Sequence, residues 1–216
     1  MKPCLLILSA PSGAGKTTIS RALVSRRTDV EFSVSATTRT PRPGERDGVA
    51  YHFLTKAEFE RRIEKGEFLE WAPYGGNLYG TLHAEVDQIL GSGRHALLDI
   101  EIQGARSVRR HQGNVMSIFI LPPSAAALIE RLRSRRTEED HVVQARLRRA
   151  IDEIAEAADY DYIVVNDELN RAVEDFGKIL DAESFRPART ANVDELTRDL
   201  RDELAQAASQ MAQTQE

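Results

Sequence analysis

The sequence predicts an α/β fold in which a parallel sheet carries a phosphate-binding loop and is interrupted by an inserted β-rich segment. Short apolar runs alternate with helical stretches, which is typical of a buried parallel sheet covered by helices. A glycine-rich turn follows the first apolar run and precedes a helical stretch. Prolines and glycines divide residues 32–83 into short β-type pieces, which indicates that this region leaves the parallel core.

Four apolar runs are predicted to be buried parallel strands, because they are short, rich in branched residues and bounded by polar segments. These runs are Cys4–Leu8, His95–Ile100, Met116–Leu121 and Tyr162–Val165. The helices expected between and after them span Ile19–Arg27, Ile102–Arg110, Ser124–Arg135 and Leu169–Ala182. Ser124 follows two prolines and is expected to cap its helix.

The β-type pieces of the inserted region are Phe32–Ala36, Val49–Leu54 and Glu67–Pro73. Between the last two, a short helix is expected to begin at Thr55. Thr55 and Glu58 have the spacing of a capping box, in which each side chain bonds the backbone amide of the other residue.

The glycine-rich turn has the order of a phosphate-binding loop. Its residues are Ala10, Pro11, Ser12, Gly13, Ala14, Gly15, Lys16, Thr17 and Thr18, and Ala10 stands where the usual pattern has glycine. Gly13 and Gly15 allow the backbone to curl around an anion, and the next helix directs its positive end at the same group. Lys16 can reach the β and γ phosphates, and the Thr17 hydroxyl can bind Mg²⁺. The loop predicts nucleotide binding but no particular reaction, because GTPases, motors and kinases share it.

The composition limits the kinds of partner. The chain has 29 Lys and Arg against 34 Asp and Glu, a net charge of −5, which argues against a dedicated nucleic-acid surface. The single cysteine, Cys4, excludes an intrachain disulfide. The sequence shows neither a signal peptide nor an apolar run long enough to span a membrane. We therefore expect a cytoplasmic protein, monomeric or homodimeric, without nucleic-acid or membrane partners.

Two basic segments could contact phosphates. Arg39 and Arg42 lie three residues apart among hydroxyls and prolines, and two fixed guanidiniums suit a phosphate monoester. Tyr51 and Tyr79 could donate to the same phosphate, although either tyrosine alone is more commonly a core residue. The second segment carries Arg131, Arg133, Arg135, Arg136, Arg146, Arg148 and Arg149. Such a run is commonly a solvated helix pair, but beside a phosphate loop it also suits a flap that neutralises transferring charge.

Apolar residues recur at helical spacing near the C-terminus. They are Val193, Leu196, Leu200, Leu204, Ala207 and Met211. This spacing predicts an amphipathic helix, for which docking on the rest of the domain is the favoured role and a dimer contact is the alternative.

Several longer motifs resemble those of the guanylate kinase family. Besides the loop, they are Ser33–Glu45, Tyr51–Phe53, Phe68–Glu70, Gly76–Thr81, Leu98–Gly104, Ile118–Ser124 and Tyr162–Asp167. The resemblance covers roughly residues 3–187. It implies a P-loop kinase core (1–31, 84–130 and 150–187), a subdomain for a nucleoside monophosphate (32–83) and a helical, arginine-bearing lid (131–149), followed by the tail 188–216.

The resemblance implies an enzyme that transfers the γ-phosphoryl group of ATP to GMP, giving ADP and GDP, with Mg²⁺ as cofactor. The acceptor site would consist of Ser35, Arg39, Arg42, Tyr51, Glu70, Tyr79, Thr81, Asp99 and Glu101. The ATP site would consist of residues 10–18 with Arg131 and Asn166, the latter against the adenine. The catalytic set would be Lys16, Arg39, Asp99, Arg135 and Arg146, and Asp99 would also hold Mg²⁺ through water.

The implied acceptor site fits guanine chemically. The N1–H and the 2-amino group of guanine are donors, which the carboxylates of Glu70 and Glu101 can accept, whereas adenine places an acceptor at N1. Two positions depart from the family pattern: Glu101 stands where many members have Asp, and Arg136 follows Arg135 where many have Gly.

Two other functions remain open from the sequence. One is a non-catalytic interaction module, since guanylate-kinase-like scaffold domains bind protein ligands; the intact phosphate loop argues against it. The other is a related P-loop kinase with a different phosphorylated acceptor. GMP and dGMP are not distinguished, because no residue is identified that reads the 2′-hydroxyl.

Overall fold

A five-stranded parallel sheet forms the centre of the fold, as the apolar runs predicted. The computed structural model describes residues 2–133, 140–190 and 192–213. The sheet has the order β2-β7-β1-β8-β9. Its strands are β1 (Leu5–Ser9), β2 (Val30–Phe32), β7 (His95–Asp99), β8 (Val115–Leu121) and β9 (Tyr162–Val165). All pairs are parallel, and the four predicted strands are confirmed to within a residue at either end.

Helices follow the strands of this sheet as expected for a parallel α/β fold. They are α1 (Lys16–Arg26), α3 (His83–Gly91), α4 (Ile102–His111), α5 (Ala125–Arg133), α6 (Asp140–Ala155) and α7 (Leu169–Glu183). A 3₁₀ helix, Glu156–Asp159, follows α6. Ile7, Val86, Leu98 and Val108 are buried in one cluster, so that α3 and α4 cover the same part of the sheet.

The prediction of one strand over Phe32–Ala36 is wrong. The segment contributes to two sheets: Val30–Phe32 pairs in parallel with β7 in the core, and only Ala36–Thr37 enters the second sheet. Phe32 therefore belongs to the core sheet, although the predicted boundary at residue 32 assigned it to the subdomain. Strand β2 was not predicted because it has only three residues, and Val30 is followed by a charged residue, so that no apolar run marks it.

The inserted region forms a second sheet, as its β-type pieces predicted. The order is β4-β3-β6-β5, formed by β3 (Ala36–Thr37), β4 (His52–Phe53), β5 (Phe68–Tyr74) and β6 (Asn77–Leu82). Strand β6 was not predicted, because Gly80 interrupts its apolar pattern and glycines precede it. Helix α2 (Lys56–Glu64) covers the sheet, and Phe59 stacks on Phe68 with ring centroids 4.3 Å apart.

Both predicted helix caps are present. The Thr55 hydroxyl accepts from the Glu58 amide at 3.2 Å, which is one half of the predicted box; the Glu58 carboxylate instead pairs with Arg61 and Arg62. The Ser124 hydroxyl accepts from the Ala127 amide at 3.1 Å. These caps satisfy amides that the first turn of a helix leaves without helical partners.

The strand order determines where a ligand can bind. Strand β1 lies between β7 and β8. The chain passes from β1 to the edge strand β2, returns to β7, and then crosses to β8 and β9 on the other side. In such sheets the loops at the carboxyl ends of the central strands diverge and leave a crevice. The phosphate loop follows β1 at this point, and Asp99 ends the neighbouring strand β7.

The chain divides into two units, Pro3–Ile179 and a smaller one formed by the first two residues with Leu180–Glu216. In the smaller unit, Arg189 pairs with Glu183 at 2.7 Å, and α8 spans Val193–Gln213. This helix was predicted, but the partner of its apolar face stays a prediction, since Leu196, Leu200, Leu204 and Met211 are exposed. Within the described ranges, no helix is both long and apolar enough to cross a membrane.

Candidate active site

The phosphate loop joins β1 to α1 in the conformation that its glycines allow. Gly13 and Gly15 have φ angles of 90° and 96°, which glycine adopts without steric cost. A side chain at Gly15 would also overlap the Asn166 amide nitrogen. Among the described residues, no side chain caps the start of α1 at Lys16. The first amides of α1 can therefore serve as donors to an anion.

Lys16 links the loop to the end of the neighbouring strand. Its ammonium lies 2.6 Å from Asp99 Oδ1 and donates to the Ile100 carbonyl at 3.0 Å. Burial alone would lower the pKa of Lys16, but the charges of Asp99 and Glu101 outweigh it, so that the pKa is raised. Lys16 is therefore held as a cation at the crevice, and Asp99 faces the loop as predicted.

Asn166 and Arg131 support the loop from its far side. The Asn166 amide donates to the Ala14 carbonyl at 2.7 Å, and Arg131 donates to that carbonyl at 3.4 Å and to the Asn166 carbonyl at 3.1 Å. Both residues thus lie at the phosphate loop, as the implied ATP site requires. Asn166 contacts the loop backbone in this structure, and its contact with adenine stays a prediction.

The predicted acceptor-phosphate residues form a cluster on the second sheet. The Arg39 guanidinium lies 5.3 Å from the centroid of the Tyr51 ring, and the Tyr51 and Tyr79 rings are 5.9 Å apart. Glu45 accepts two hydrogen bonds of 2.9 Å from Arg39 and a third of 2.7 Å from the Arg42 amide. Because of the bond from Arg39, the pKa of Glu45 is lowered. Glu45 therefore holds the arginine segment in a fixed geometry.

Tyr51 connects this cluster electrostatically to the core. Burial raises the pKa of the Tyr51 hydroxyl, and the negative charge of Asp99 raises it further. Tyr51 therefore stays protonated at neutral pH and can donate a hydrogen bond.

A buried carboxylate lies between the second sheet and α4. Glu70 is 8% exposed and accepts from the Thr81 hydroxyl at 2.7 Å. Burial raises the pKa of Glu70, although the Thr81 hydroxyl and the more distant charge of Lys16 act in the opposite direction. A Cβ at Gly104 of α4 would lie 2.5 Å from Glu70 Oε2. The absence of a side chain at Gly104 is therefore what permits this position of the carboxylate.

Glu101 precedes α4 and pairs with the lid-side helix α6. Its Oε2 accepts from Arg149 Nη2 at 2.7 Å, and Arg149 Nε donates to Glu153 Oε1 at 2.7 Å. Glu153 Oε2 in turn accepts from the Ser12 amide of the phosphate loop at 3.1 Å. A continuous polar chain thus joins the predicted base-reading residue to the loop.

The remaining predicted residues occupy different surroundings. Ser35 is half-buried beside β3, Arg42 is exposed, and Thr17 and Thr18 are exposed in the first turn of α1. Arg146 lies on α6, three residues before Arg149 and hence near the same helix face. Arg135, predicted to be catalytic, and Arg136 lie outside the described residues.

Sequence reasoning did not assign roles to Arg149, Glu153, Tyr74 or Glu45. Arg149 and Glu153 are four residues apart on one helix, a spacing that could have indicated an ion pair. Arg149 is 48 positions from Glu101 and 75 positions from Tyr74 in the sequence. Because these separations are long, no local pattern predicts either contact.

Few of the described side chains could bind Mg²⁺ through oxygen at the crevice. No group of three or more His, Cys, Asp and Glu side chains in the described part of the chain could hold a metal ion. The crevice offers the exposed Thr17 hydroxyl and the Asp99 carboxylate. This set fits Mg²⁺, which usually keeps several waters and takes one or two protein oxygens together with substrate phosphates.

Comparison with known proteins gives one consistent family. A sequence model with the description "Guanylate kinase" matches residues 2–183. The chain is 47% identical over 188 residues to the guanylate kinase of Symbiobacterium thermophilum, which covers 87% of this chain and 89% of that protein. It is 45% identical over 201 residues to the guanylate kinase of Rhodopseudomonas palustris strain HaA2, which covers 93% and 91%, respectively.

A solved structure agrees with these relatives. The guanylate kinase from Anaplasma phagocytophilum matches this fold with a TM-score of 0.74 and 33% sequence identity, over 91% of this chain and 94% of that one. The predicted P-loop kinase fold is therefore confirmed, and the motifs that suggested it lie within the matched region. By sequence and by structure, the chain belongs to the guanylate kinase family.

Proposed function

We infer that this protein transfers the γ-phosphoryl group of ATP to GMP, giving ADP and GDP, as a step of purine nucleotide metabolism. Membership of the guanylate kinase family supports the reaction. The observation that carries the assignment of residues is the Lys16–Asp99 pair. It lies where the phosphate loop meets the end of β7, and its charges act on both Tyr51 and Glu70.

On the donor side, the loop amides and Lys16 would hold the β and γ phosphates of ATP. The positive end of α1 and the raised pKa of Lys16 support this role, because both favour an anion at the loop. Thr17 and Asp99 would hold Mg²⁺, Asp99 through water. When bound, Mg²⁺ would neutralise negative charge on the phosphates of the donor. Arg131 and Asn166 would keep the Ala14 turn in place.

On the acceptor side, Arg39, Arg42, Tyr51 and Tyr79 would bind the phosphate of GMP. Arg39 and the two tyrosines already lie together, and Glu45 orients the guanidinium. A dianionic phosphate is a stronger partner for two arginines than a single carboxylate is. The acceptor phosphate would thereby be directed toward Lys16 and Asp99.

Glu70 and Glu101, with Ser35 and Thr81, would recognise guanine. The Thr81 hydroxyl fixes the Glu70 carboxylate in a buried site, where a donor from the base would replace solvent. Adenine would present a lone pair to that carboxylate and leave its other oxygen without a donor, which is costly in a buried site. The same contacts suit dGMP, because they do not involve the ribose.

The reaction requires positioning and charge stabilisation rather than a covalent intermediate. An oxygen of the acceptor phosphate would attack the γ-phosphorus in line with the departing ADP. Lys16 would stabilise the negative charge that develops on the transferred group, and Arg135 and Arg146 would stabilise the same charge from the lid. Closure of the lid would exclude water and limit ATP hydrolysis.

A coupled assay of ADP release tests the function directly. With MgATP as donor, GMP, AMP, CMP and UMP are compared as acceptors, and we expect turnover with GMP alone. Turnover with another acceptor instead of GMP would mean that Glu70 and Glu101 do not recognise guanine. A folded protein that binds GMP but produces no ADP would be a binding module.

Replacement of Lys16 tests the donor side. We expect Lys16→Ala to reduce kcat on the order of 10²–10³-fold, because a preorganised donor to the transferring phosphate is lost. Binding of GMP, measured by calorimetry, should be largely retained. Lys65→Ala, which removes an exposed lysine, is the matched control. Turnover that stays at the wild-type level would contradict the assignment of Lys16.

Replacement of Gly104 tests the position of Glu70. We expect Gly104→Ala to reduce kcat/KM for GMP about 10- to 100-fold with little change in KM for ATP, because the added methyl group displaces the Glu70 carboxylate. Gly91→Ala is the control, since Gly91 also lies in a helix and has open space around its Cα. Unaltered GMP kinetics in a folded Gly104→Ala variant would show that Glu70 does not need this geometry.

The raised pKa of Glu70 predicts a pH-dependent cost in stability. A carboxyl whose pKa is higher in the folded than in the unfolded state stabilises the fold below the ordinary glutamate pKa of 4.5, and this contribution is lost as the pH rises through the folded value. Glu70→Gln should therefore gain unfolding free energy relative to wild type as the pH rises above about 4.5, measured by urea denaturation, while kcat/KM for GMP falls. A pH-independent difference in stability would contradict the raised pKa.

A further inference from the structure

Arg149 contacts two carboxylates and one aromatic ring from three different parts of the fold. Its Nη2 donates to Glu101 at the start of α4, and its Nε donates to Glu153 on its own helix, both at 2.7 Å. The guanidinium carbon lies 4.7 Å from the centroid of the Tyr74 ring on β5. One side chain of α6 therefore touches the core, the lid-side helix and the second sheet.

The contact with Glu153 extends to the phosphate loop. Glu153 is 8% exposed, and its second oxygen accepts from the Ser12 amide at 3.1 Å. A carboxylate this buried is costly unless it is paired and hydrogen-bonded. Arg149 supplies the compensating charge, so that the position of the Ser12 amide depends on Arg149 through Glu153.

The contact with Glu101 leaves that carboxylate able to act on a ligand. Arg149 binds Oε2 of Glu101, and a carboxylate has a second oxygen that can accept from another donor. Glu101 is half-exposed and makes no cap for α4 within the described residues. Without Arg149, its flexible side chain would have to be ordered by the ligand itself, which costs binding free energy.

The shape of the guanidinium suits these three contacts. Its planar fork directs Nη2 and Nε at different carboxylates, while its face lies against an aromatic ring. A lysine ammonium lacks this fixed geometry. Burial lowers the pKa of Arg149, but the bond to Glu153 and the charge of Glu101 outweigh this effect and raise it. Arg149 therefore remains charged.

We propose that Arg149 is a positioning residue that holds Glu101 for recognition of the guanine 2-amino group and, through Glu153, holds the Ser12 amide of the phosphate loop. The proposal rests on the proposed function, since it requires Glu101 to contact the acceptor base. It assigns to one arginine an effect both on base selectivity and on the donor loop. In this proposal Arg149 acts through the two carboxylates that it binds and not through a contact of its own with the nucleotides.

The test compares Arg149→Gln with Arg148→Gln, a neighbouring exposed arginine whose removal changes the net charge equally. Acceptors are GMP and inosine monophosphate, which differs from GMP by the absence of the 2-amino group. We expect Arg149→Gln to lower kcat/KM for GMP about tenfold or more and for inosine monophosphate much less, so that the preference for GMP decreases. Arg148→Gln should keep the wild-type preference, and Arg149→Lys should not restore it.

Double variants separate positioning from a general structural effect. If Arg149 acts through Glu101, the variant with both Arg149→Gln and Glu101→Gln should have the same acceptor preference as Glu101→Gln alone. Glu153→Gln should raise KM for ATP, as Arg149→Gln does, without changing the preference between acceptors. Thermal unfolding of each variant shows whether the protein remains folded, and Arg149→Lys supplies the comparison if Arg149→Gln does not fold.

The outcomes distinguish this inference from the function on which it rests. A wild-type protein that does not phosphorylate GMP would overturn the proposed function. A wild-type preference for GMP that Glu101→Gln removes and Arg149→Gln leaves intact would overturn the role of Arg149 alone. A preference that survives Glu101→Gln would also overturn it, because Arg149 would then have no base contact to position.

Discussion

The ion pair between Lys16 and Asp99 is the interaction on which the site depends. It joins the phosphate loop after β1 to the end of β7, the two strands that meet at the switch point of the sheet. The two side chains are 17% and 15% exposed, so that removing one partner would leave the other charge without compensation in a poorly solvated place. The pair therefore joins the loop to the end of β7 and keeps a cation where we propose that the donor phosphates bind, and its charges act on Tyr51 and Glu70.

The carboxylates around the crevice differ in their partners and therefore in the roles that we propose for them. Glu45 and Glu153 bind groups that the reaction would use, the Arg39 guanidinium and the Ser12 amide, and thus hold them in position. Glu70 is buried against Thr81, with no arginine among the partners that the structure describes. This difference in environment raises the pKa of Glu70 and lowers that of Glu45. Because Glu70 is buried, its ionisation at neutral pH lowers the free energy of unfolding. Recognition of the acceptor base would explain why the chain keeps a carboxylate there.

The two nucleotide sites share structural support. Helix α4 carries Glu101 at its start and Gly104 in its first turn, so that one helix positions both carboxylates that we propose to recognise the base. Helix α6 reaches the donor loop through Glu153 and the acceptor side through Arg149 and Tyr74. Movement of α6 with the lid would therefore be felt at both sites, which is suited to an enzyme that must exclude water before transfer.

The sequence alone was enough to predict the features that depend on neighbouring residues. The phosphate loop, the four apolar strands and the caps at Thr55 and Ser124 depend on neighbouring residues, and each was predicted because spacing and residue type suffice for them. The family resemblance further indicated which residues would line the acceptor site, and this assignment stays a prediction. Tertiary structure alone decided that Val30–Phe32 joins the core sheet, that Asn166 holds the Ala14 carbonyl, and that Gly104 makes room for Glu70. The chain from Glu101 through Arg149 and Glu153 to Ser12 likewise joins distant segments. Such contacts depend on how helices and strands pack against one another. They join residues that are distant in the sequence, so that no local spacing or residue pattern predicts them.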